Sequence, residues 1–215
     1  MITSEETQQE ETKTCPCLSG IFTLPKFFTP EECKQIINTA VNDWKEKPAL
    51  VGGIDDPDYR NITLLVPVNQ NQKEGLIKKV FAGIMDLNNQ EDGYQFHIQG
   101  MAETIGLMKY QAKNIDKHGK PGHYDWHMDV GGRDTISSMR KISFSLLLNP
   151  GEYEGGELCF NTGRFNQVEL DKDLLGQDGI GTMIAFPSYL LHKVSHVTSG
   201  TRYALVGWVH GNSFI

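Results

Sequence analysis

The hydrophobic positions near the N-terminus predict two amphipathic helices. The first begins after the N-cap Thr29, because Pro30 suits the first helical position and Glu32 completes a capping box. A second helix is predicted over about 72–88. The apolar residues at helical spacing are Cys33, Ile36, Ile37, Ala40, Val41 and Trp44 in the first helix and Leu76, Val80, Phe81, Ile84 and Leu87 in the second. Each helix therefore has one face to bury.

From residue 93 onward the pattern changes to short runs of β-branched and aromatic residues. Clusters of Gly, Asn, Pro and Asp separate the runs, which are YQFHIQG, TIGLMKYQA, GHYDWHMDV, RKISFSLLLN, GGELCF, GTMIAFP, YLLHKVSHV and TRYALVGWVHG. Earlier strands are predicted at 21–28 and 61–68. Short strands at this spacing are typical of a sandwich or jelly roll. The expected fold is mainly β, with a jelly-roll (double-stranded β-helix) core supported by the N-terminal α-helices.

The length of 215 residues suits one sizeable core. We therefore expect a single domain at 15–215, with its core at about 100–210, after a disordered acidic arm at 1–14 that lacks aromatic residues. Two loops, at 51–60 and 112–122, contain Gly, Asp and Pro or Lys. They are predicted either as mobile lids over a site or as ordinary connections.

The charge balance and the cysteines narrow the class of protein further. Twenty Lys and Arg against 27 Asp and Glu give a net charge of −7, which disfavours binding to nucleic acid or to an anionic membrane. No apolar run reaches the roughly 20 residues of a membrane helix, so neither a membrane segment nor a secretory signal is expected. Four cysteines are too few for a disulfide framework, which favours the reducing cytoplasm. Cys15 and Cys17 are expected to have no specific role.

The segment HYDWHMD at 123–129 contains the candidate chemistry. It places His123, Asp125, His127 and Asp129 at alternate positions, so in an extended strand all four side chains project to the same face. A His and an Asp two residues apart, together with a distant His, form the 2-His-1-carboxylate site of Fe(II) oxygenases. Spacing alone does not decide whether His123 and Asp125 or His127 and Asp129 would be the ligands. The alternative is that these side chains bind no metal and line a solvated polar face of the strand.

Four further motifs follow one another along the chain. They are Y-x-x-H-x-D ending at Asp129, R-K-I-S-F-S-L-L-L-N at 140–149, G-G-E-L at 155–158, and F-P-S-x-x-L-H-x-V-x-x-V-T-x-G-x-R at 186–202. Together they resemble the Fe(II)/2-oxoglutarate-dependent dioxygenases of the prolyl 4-hydroxylase type, with the PKHD-type hydroxylases as the nearest pattern. The resemblance covers about residues 100–210, with a looser match at F-F-T-P-E-E-C in the first helix.

The resemblance implies roles for individual residues. His127 and Asp129 match the proximal metal ligands of the family and His192 matches the distal one. His196 and His210 match poorly and are interpreted as structural. Arg202 matches the residue that binds the distal carboxylate of 2-oxoglutarate, which its planar guanidinium suits, and an internal salt bridge is the alternative.

Other positions concern the walls of the cosubstrate pocket. Tyr110 matches a family tyrosine near the cosubstrate, although a core tyrosine would show the same pattern. Trp208 shares a strand face with Arg202 and is expected to wall the pocket. At Leu147 the chain departs from the animal oxygen-sensing enzymes, which have a tyrosine that helps to hold the carboxylate. Thr182 is a candidate replacement.

The resemblance also implies an activity. The expected enzyme is a dioxygenase that uses Fe(II), 2-oxoglutarate, O2 and ascorbate to hydroxylate a peptidyl proline, with release of succinate and CO2. No catalytic side chain is expected beyond the metal ligands. A peptide or protein is the expected partner, with no nucleic acid and no membrane. The alternatives are a hydroxylase of a free amino acid or other small molecule, and a non-catalytic cupin-like binding module.

Overall fold

The computed structural model describes residues 20–47, 49–50, 54–68, 71–161, 167–169 and 179–213. At 71–73 and 167–169 only the backbone is described. The predicted arm at 1–14 lies outside these ranges, as do Cys15 and Cys17 and positions 51–53 of the first predicted loop.

Helix α1 spans Pro30–Asp43, and a capping box fixes its N-terminus. The Thr29 hydroxyl oxygen accepts a hydrogen bond from the Glu32 amide at 3.2 Å, and the Glu32 carboxylate accepts one from the Thr29 amide at 2.8 Å. The predicted start is therefore confirmed. Ala40 is fully buried but Val41 is 48% exposed, so the predicted place of Val41 on the buried face is wrong. The two positions differ by about 100° around the helix, and the buried stripe includes only one of them.

Helix α2 spans Asn71–Asn88, close to its predicted bounds. Its residues Val80, Ile84 and Leu87 are buried in one apolar cluster with Trp44, which ends α1. Among the helices in the described part of the chain, none is long and apolar enough to cross a membrane.

Strands account for most of the remaining regular structure. In chain order they are β1 Phe22–Leu24, β2 Lys45–Lys47, β3 Arg60–Asn61, β4 Thr63–Val66, β5 Ile98–Gly100, β6 Gly106–Gln111, β7 His123–His127, β8 Arg140–Leu147, β9 Tyr153–Gly155, β10 Leu158–Asn161, β11 Gln167–Glu169, β12 Met183–Pro187, β13 Leu191–Val194 and β14 Val197–Gly211. A short 3-10 helix spans Ile136–Met139. Each predicted strand segment overlaps at least one of these strands.

The strands form two antiparallel sheets. The larger sheet has the order β1-β12-β8-β14-β6-β4-β2, and β5 and β9 pair with parts of β14. The smaller sheet has the order β11-β10-β13-β7-β3. Most neighbours in each sheet are distant in sequence, as in a jelly roll, although β10 pairs with the next strand, β11. The predicted mainly β fold with supporting N-terminal helices is confirmed.

The larger sheet is buried on both faces, because successive residues of its strands belong to different cores. Leu107 and Leu146 pack with the helices, whereas their chain neighbours Met108 and Leu147 pack between the two sheets. Helices thus cover one face of this sheet, and the smaller sheet covers the other. The inner face, between the sheets, contains the candidate site.

The turn into β12 depends on a glycine. Gly181 has a φ of +74°, and a Cβ added there would overlap the carbonyl oxygen of Phe28. The two residues are also joined by a hydrogen bond from the Phe28 amide to the Gly181 carbonyl at 3.1 Å. Gly181→Ala should therefore lower the free energy of unfolding by at least about 1–2 kcal/mol, measured by urea denaturation.

Gly75→Ala is the matched control. Gly75 is exposed in α2 with open space where a Cβ would lie. Because alanine favours a helix more than glycine does, this variant should be neutral or more stable by about 0.5–1 kcal/mol. Equal effects of the two substitutions would contradict the proposed strain at the turn.

Candidate metal centre

Three side chains with metal-binding atoms meet between the sheets. His127 ends β7, Asp129 follows two residues later, and His192 lies on β13 directly opposite His127. One potential ligand atom from each lies within 4.8 Å of the others. The Nε2 atoms of His127 and His192 lie 3.8 and 3.6 Å from the Asp129 carboxylate oxygens. Among the described residues, no other group of His, Cys, Asp and Glu has this arrangement.

An irregularity in β7 determines which residues face this centre. His192 pairs with His127, but Val194, two residues later, pairs with Tyr124, three residues earlier. Strand β7 therefore has one extra residue, a β-bulge. As a result the rings of Tyr124 and His127 stack on each other with centroids 3.4 Å apart. The expectation that His123, Asp125, His127 and Asp129 share one strand face is wrong, because the bulge breaks the alternation.

The alternative ligand His123 has other partners. Its two ring nitrogens lie 3.0 and 2.9 Å from the backbone carbonyl oxygens of Pro121 and Asp58. Its ring packs against His196 with centroids 4.4 Å apart, and Asp125 is exposed. Because both nitrogens of His123 face carbonyls, neither is available to a metal in this geometry.

Backbone carbonyls orient both imidazoles of the centre. The Nδ1 atom of His127 lies 2.7 Å from the Asp125 carbonyl oxygen, and that of His192 lies 2.8 Å from the Leu190 carbonyl oxygen. Since a carbonyl only accepts, each Nδ1 carries the proton. The Nε2 lone pairs then point towards Asp129, as a metal site requires.

Electrostatics favour the protonation states that bind a metal. Burial, followed by the nearby His192, lowers the pKa of His127 to about 4, so this imidazole is neutral at pH 7. Burial acts to raise the pKa of Asp129, but the two histidines and hydrogen bonds from Ser143 and Trp208 outweigh it and lower that pKa. Asp129 is therefore a carboxylate at neutral pH. A neutral His127 imidazole and an ionised Asp129 carboxylate, with His192 as the second imidazole, are the kinds of ligand that suit Fe(II).

A buried cation lies on the inner face of the larger sheet. Arg202 is 1% exposed, and among the described residues its Nε and Nη1 atoms have no hydrogen-bond partner. Its guanidinium carbon lies 5.0 Å from the ring centroid of Tyr110, the residue opposite it on β6. In the described part of the chain it forms no salt bridge, so the alternative role in an internal ion pair has no support there. A buried guanidinium with free donors fits an incoming carboxylate.

The other predicted pocket residues lie around these groups. Tyr110 is 2% exposed, and its hydroxyl donates to the Met108 sulfur at 3.2 Å. Trp208 is half-buried and lies near enough to Asp129 to help lower the pKa of that carboxyl as a hydrogen-bond donor, which places it beside the centre. Leu147 is buried between the sheets, and its amide donates to the carbonyl of Thr182, which is also buried.

Aromatic rings cover the remaining side of His192. The Phe186 and Phe160 ring centroids lie 4.6 and 6.1 Å from that of His192. These apolar rings limit the access of water to the imidazole. The local dielectric constant is therefore low, which strengthens charge interactions in the centre.

Arg60, a second cation near the centre, was not predicted from the sequence. It lies on β3 opposite Tyr124, with its guanidinium carbon 4.5 Å from the Tyr124 ring centroid. Its Nε atom is buried without a partner. Burial raises the pKa of Tyr124 to about 12, although the Arg60 charge opposes that rise. In the sequence, Arg60 is a single arginine at the end of a predicted loop, and no motif around it indicates that it lies near the metal ligands.

The predicted loop at 112–122 connects β6 to β7 beside the centre. The Asn61 side-chain amide of β3 donates to the carbonyl of Lys120 at 3.0 Å, and Lys120 pairs with Asp58 at 2.5 Å. These contacts tie the loop to β3 and to the segment before it. Its role as a mobile lid stays a prediction.

Sequence comparison identifies related proteins. Residues 110–210 match the family model of the 2OG-Fe(II) oxygenase superfamily. A PKHD-type hydroxylase from Prochlorococcus marinus is 44% identical over 102 residues, which cover 47% of this chain and 42% of the relative. Another from Hyphomonas neptunium is 35% identical over 106 residues, covering 47% and 44%. The chain thus spans less than half the length of these curated relatives.

Solved structures share the fold at low sequence identity. A Pseudomonas putida prolyl-4-hydroxylase has a TM-score of 0.66 and 15% identity, covering 91% of this chain and 95% of that one. A Trichoplax adhaerens prolyl hydroxylase, solved with a peptide fragment of the hypoxia-inducible factor oxygen degradation domain, has a TM-score of 0.67 and 16% identity. It covers 90% of this chain and 84% of that chain.

Metal binding can be tested by replacing the candidate ligands one at a time. His127→Ala and Asp129→Ala should each abolish stoichiometric Co(II) binding, because each removes one of three converging ligands. Titration of the protein with Co(II), followed by visible absorption, measures this binding. His123→Ala is the matched control, since it removes the same side chain from the same strand and should leave binding intact. Loss of binding only in His123→Ala would move the centre to the first H-x-D pair.

Proposed function

We propose that the protein, whose residues 110–210 match the family model of the 2OG-Fe(II) oxygenase superfamily, is a hydroxylase of a peptidyl proline. One observation carries this proposal. The space between the same two sheets contains both a His-Asp-His cluster and a buried arginine that has no anionic partner among the described residues. A metal and a dicarboxylate would satisfy both groups, and the superfamily uses this pair.

The three ligand residues would hold Fe(II) from one side. His127 and His192 would bind through Nε2, since their Nδ1 atoms are held by carbonyls, and Asp129 would bind through its carboxylate. When bound, the metal would supply the oxidation, in which one atom of O2 enters a substrate C–H bond as hydroxyl and the other enters succinate, released with CO2. The remaining steps depend on how the protein binds and shields the reactants.

Arg202 would bind the distal carboxylate of 2-oxoglutarate. Its unpartnered Nε and Nη1 donors can take two carboxylate oxygens, and Tyr110 lies against the guanidinium. Phe160 and Phe186 would keep water from the reaction beside His192. Trp208 would keep the Asp129 carboxylate oriented. No further side chain needs to act as an acid or a base.

Support for a proline-containing peptide comes from the neighbours. Structures with the same fold are named prolyl hydroxylases, and one of them was solved with a peptide fragment. In this chain, Arg60 and Tyr124 would offer a cation and an aromatic ring to a substrate near His127. A free amino acid or small molecule is the alternative substrate, and a non-catalytic cupin-like module is the alternative class.

We also propose that ascorbate is a cofactor and that the protein acts in the cytoplasm. Ascorbate would return oxidised iron to Fe(II) after turnover that does not hydroxylate substrate. The cytoplasm would be the favourable compartment, since it keeps thiols and Fe(II) reduced. A net charge of −7 is consistent with a peptide partner and unfavourable for nucleic acid.

The substrate can be tested with paired peptides. We expect the protein, with Fe(II), 2-oxoglutarate and ascorbate, to add the mass of one oxygen atom to proline-containing peptides and to form succinate in equal amount. Peptides with alanine in place of proline, and the His192→Ala variant, are the controls. Hydroxylation of a free amino acid instead would favour the small-molecule enzyme. Neither product, despite metal binding, would favour the non-catalytic module.

The role of Arg202 can be tested separately. Arg202→Ala should raise the Kd for 2-oxoglutarate by about 10- to 100-fold, because a charge-assisted hydrogen bond contributes about 1.5–3 kcal/mol. Co(II) affinity should change little. Arg133→Ala, at an exposed position, is the control and should bind both as wild type does. If Co(II) binding collapsed in Arg202→Ala, the arginine would have a structural role.

A further inference from the structure

Arg140, the first residue of β8, contacts two parts of the Asp129 environment. Its Nη1 donates to the backbone carbonyl of Asp129 at 3.0 Å. Its guanidinium carbon also lies 3.6 Å from the Trp208 ring centroid. Trp208 in turn lies near enough to the Asp129 carboxyl to help lower its pKa as a hydrogen-bond donor. One guanidinium thus contacts both the main chain of Asp129 and a ring beside its side chain.

Glu103 fixes the orientation of this guanidinium. Its two carboxylate oxygens accept from Nε and Nη2 of Arg140, both at 2.6 Å. The two side chains are only 19% and 15% exposed, so water competes little for these bonds. A bidentate pair of planar groups allows one relative orientation. The orientation of Arg140 therefore depends on Glu103, which lies in the connection between β5 and β6.

His210 holds Glu103 from the other side. The His210 Nδ1 accepts from the Ala102 amide at 3.2 Å, so its proton is on Nε2, which donates to Glu103 at 2.9 Å. His210 is buried. Burial opposes ionisation of Glu103, but the bonds from Arg140 and His210 outweigh it and lower the pKa of Glu103 to about 2. Glu103 is thus a carboxylate with both oxygens occupied.

A bulge between β8 and β14 brings these residues together. Val209 pairs with Ile142, but His210 pairs with Arg140, whereas a regular ladder would place Lys141 opposite His210. Strand β8 therefore has one extra residue at its start. Bulges re-aim side chains, and this one places Arg140 against Trp208.

We propose that Glu103 is a positioning residue of the metal centre, which acts by holding Arg140 so that Asp129 and Trp208 keep the geometry that binds the metal. Glu103 touches neither the metal ligands nor Trp208 in these contacts, and it precedes residues 110–210 that match the family model. The inference rests on the proposed function only in that Asp129 is taken as a metal ligand.

Metal binding without turnover tests this inference. Glu103→Gln keeps the size of the side chain but loses the second acceptor and the charge. Partners that orient metal ligands typically contribute 10- to 100-fold to metal affinity. We therefore expect Co(II) affinity to fall by about tenfold or more, with a changed visible absorption spectrum of bound Co(II).

A variant that is destabilised elsewhere separates positioning from stability. Gly181→Ala strains the turn next to Phe28, outside this network, and should lower stability while leaving the Co(II) affinity and spectrum of the folded protein unchanged. If Glu103→Gln also left both unchanged, Glu103 would be only structural and the inference would be wrong. A failure of the wild type to bind Co(II) would instead contradict the proposed function.

Arg140→Lys provides a second variant if Glu103→Gln does not fold. Lysine keeps the positive charge but cannot form the bidentate pair or stack as a planar group on Trp208. Its Co(II) spectrum should change in the same direction as that of Glu103→Gln. A wild-type spectrum and affinity in a folded Arg140→Lys protein would overturn the inference.

Discussion

Charge buried between two β-sheets is the constraint on which the structure depends. Arg202 is 1% exposed, and two of its nitrogens have no hydrogen-bond partner among the described residues. The Asp129 side chain is 12% exposed beside the imidazoles of His127 and His192. Isolated buried charges are costly, so the fold must offer each of them a partner. A divalent metal would satisfy Asp129 and a dicarboxylate would satisfy Arg202. On the proposed function, these two ligands would complete the interior of the jelly roll.

The rest of the fold makes such an interior stable. The helices cover the outer face of the larger sheet, so its strands are held on both sides and their inner residues keep fixed positions. Two β-bulges interrupt the regular strand pairing close to the candidate metal centre. One in β7 places His127 over Tyr124, and one at the start of β8 places Arg140 against Trp208. Regular strands supply rigidity and their irregularities direct the side chains.

Local signals in the sequence were enough to predict much of the fold. The capping box of α1 and the short runs of β-branched and aromatic residues that predict strands depend only on residues close in sequence. Both predictions are confirmed. Spacing alone left both H-x-D pairs open, and the resemblance to a known family selected His127, Asp129 and His192, which the structure brings together. The bulge in β7 could not be predicted, because it depends on how β7 pairs with β13. The Glu103–Arg140 pair could not be predicted either. Glu103 lies in a loop and Arg140 is the first residue of β8, and the two come into contact only when the chain folds.

We propose that one pocket binds a metal and 2-oxoglutarate together. An anaerobic titration of the Fe(II)-loaded protein with 2-oxoglutarate, followed by visible absorption, tests this binding. Chelation of Fe(II) by the keto and carboxylate oxygens should produce a charge-transfer band that saturates at one equivalent. Succinate, which lacks the keto group, should produce none. A protein that retains Fe(II) but shows no band with 2-oxoglutarate would contradict the account.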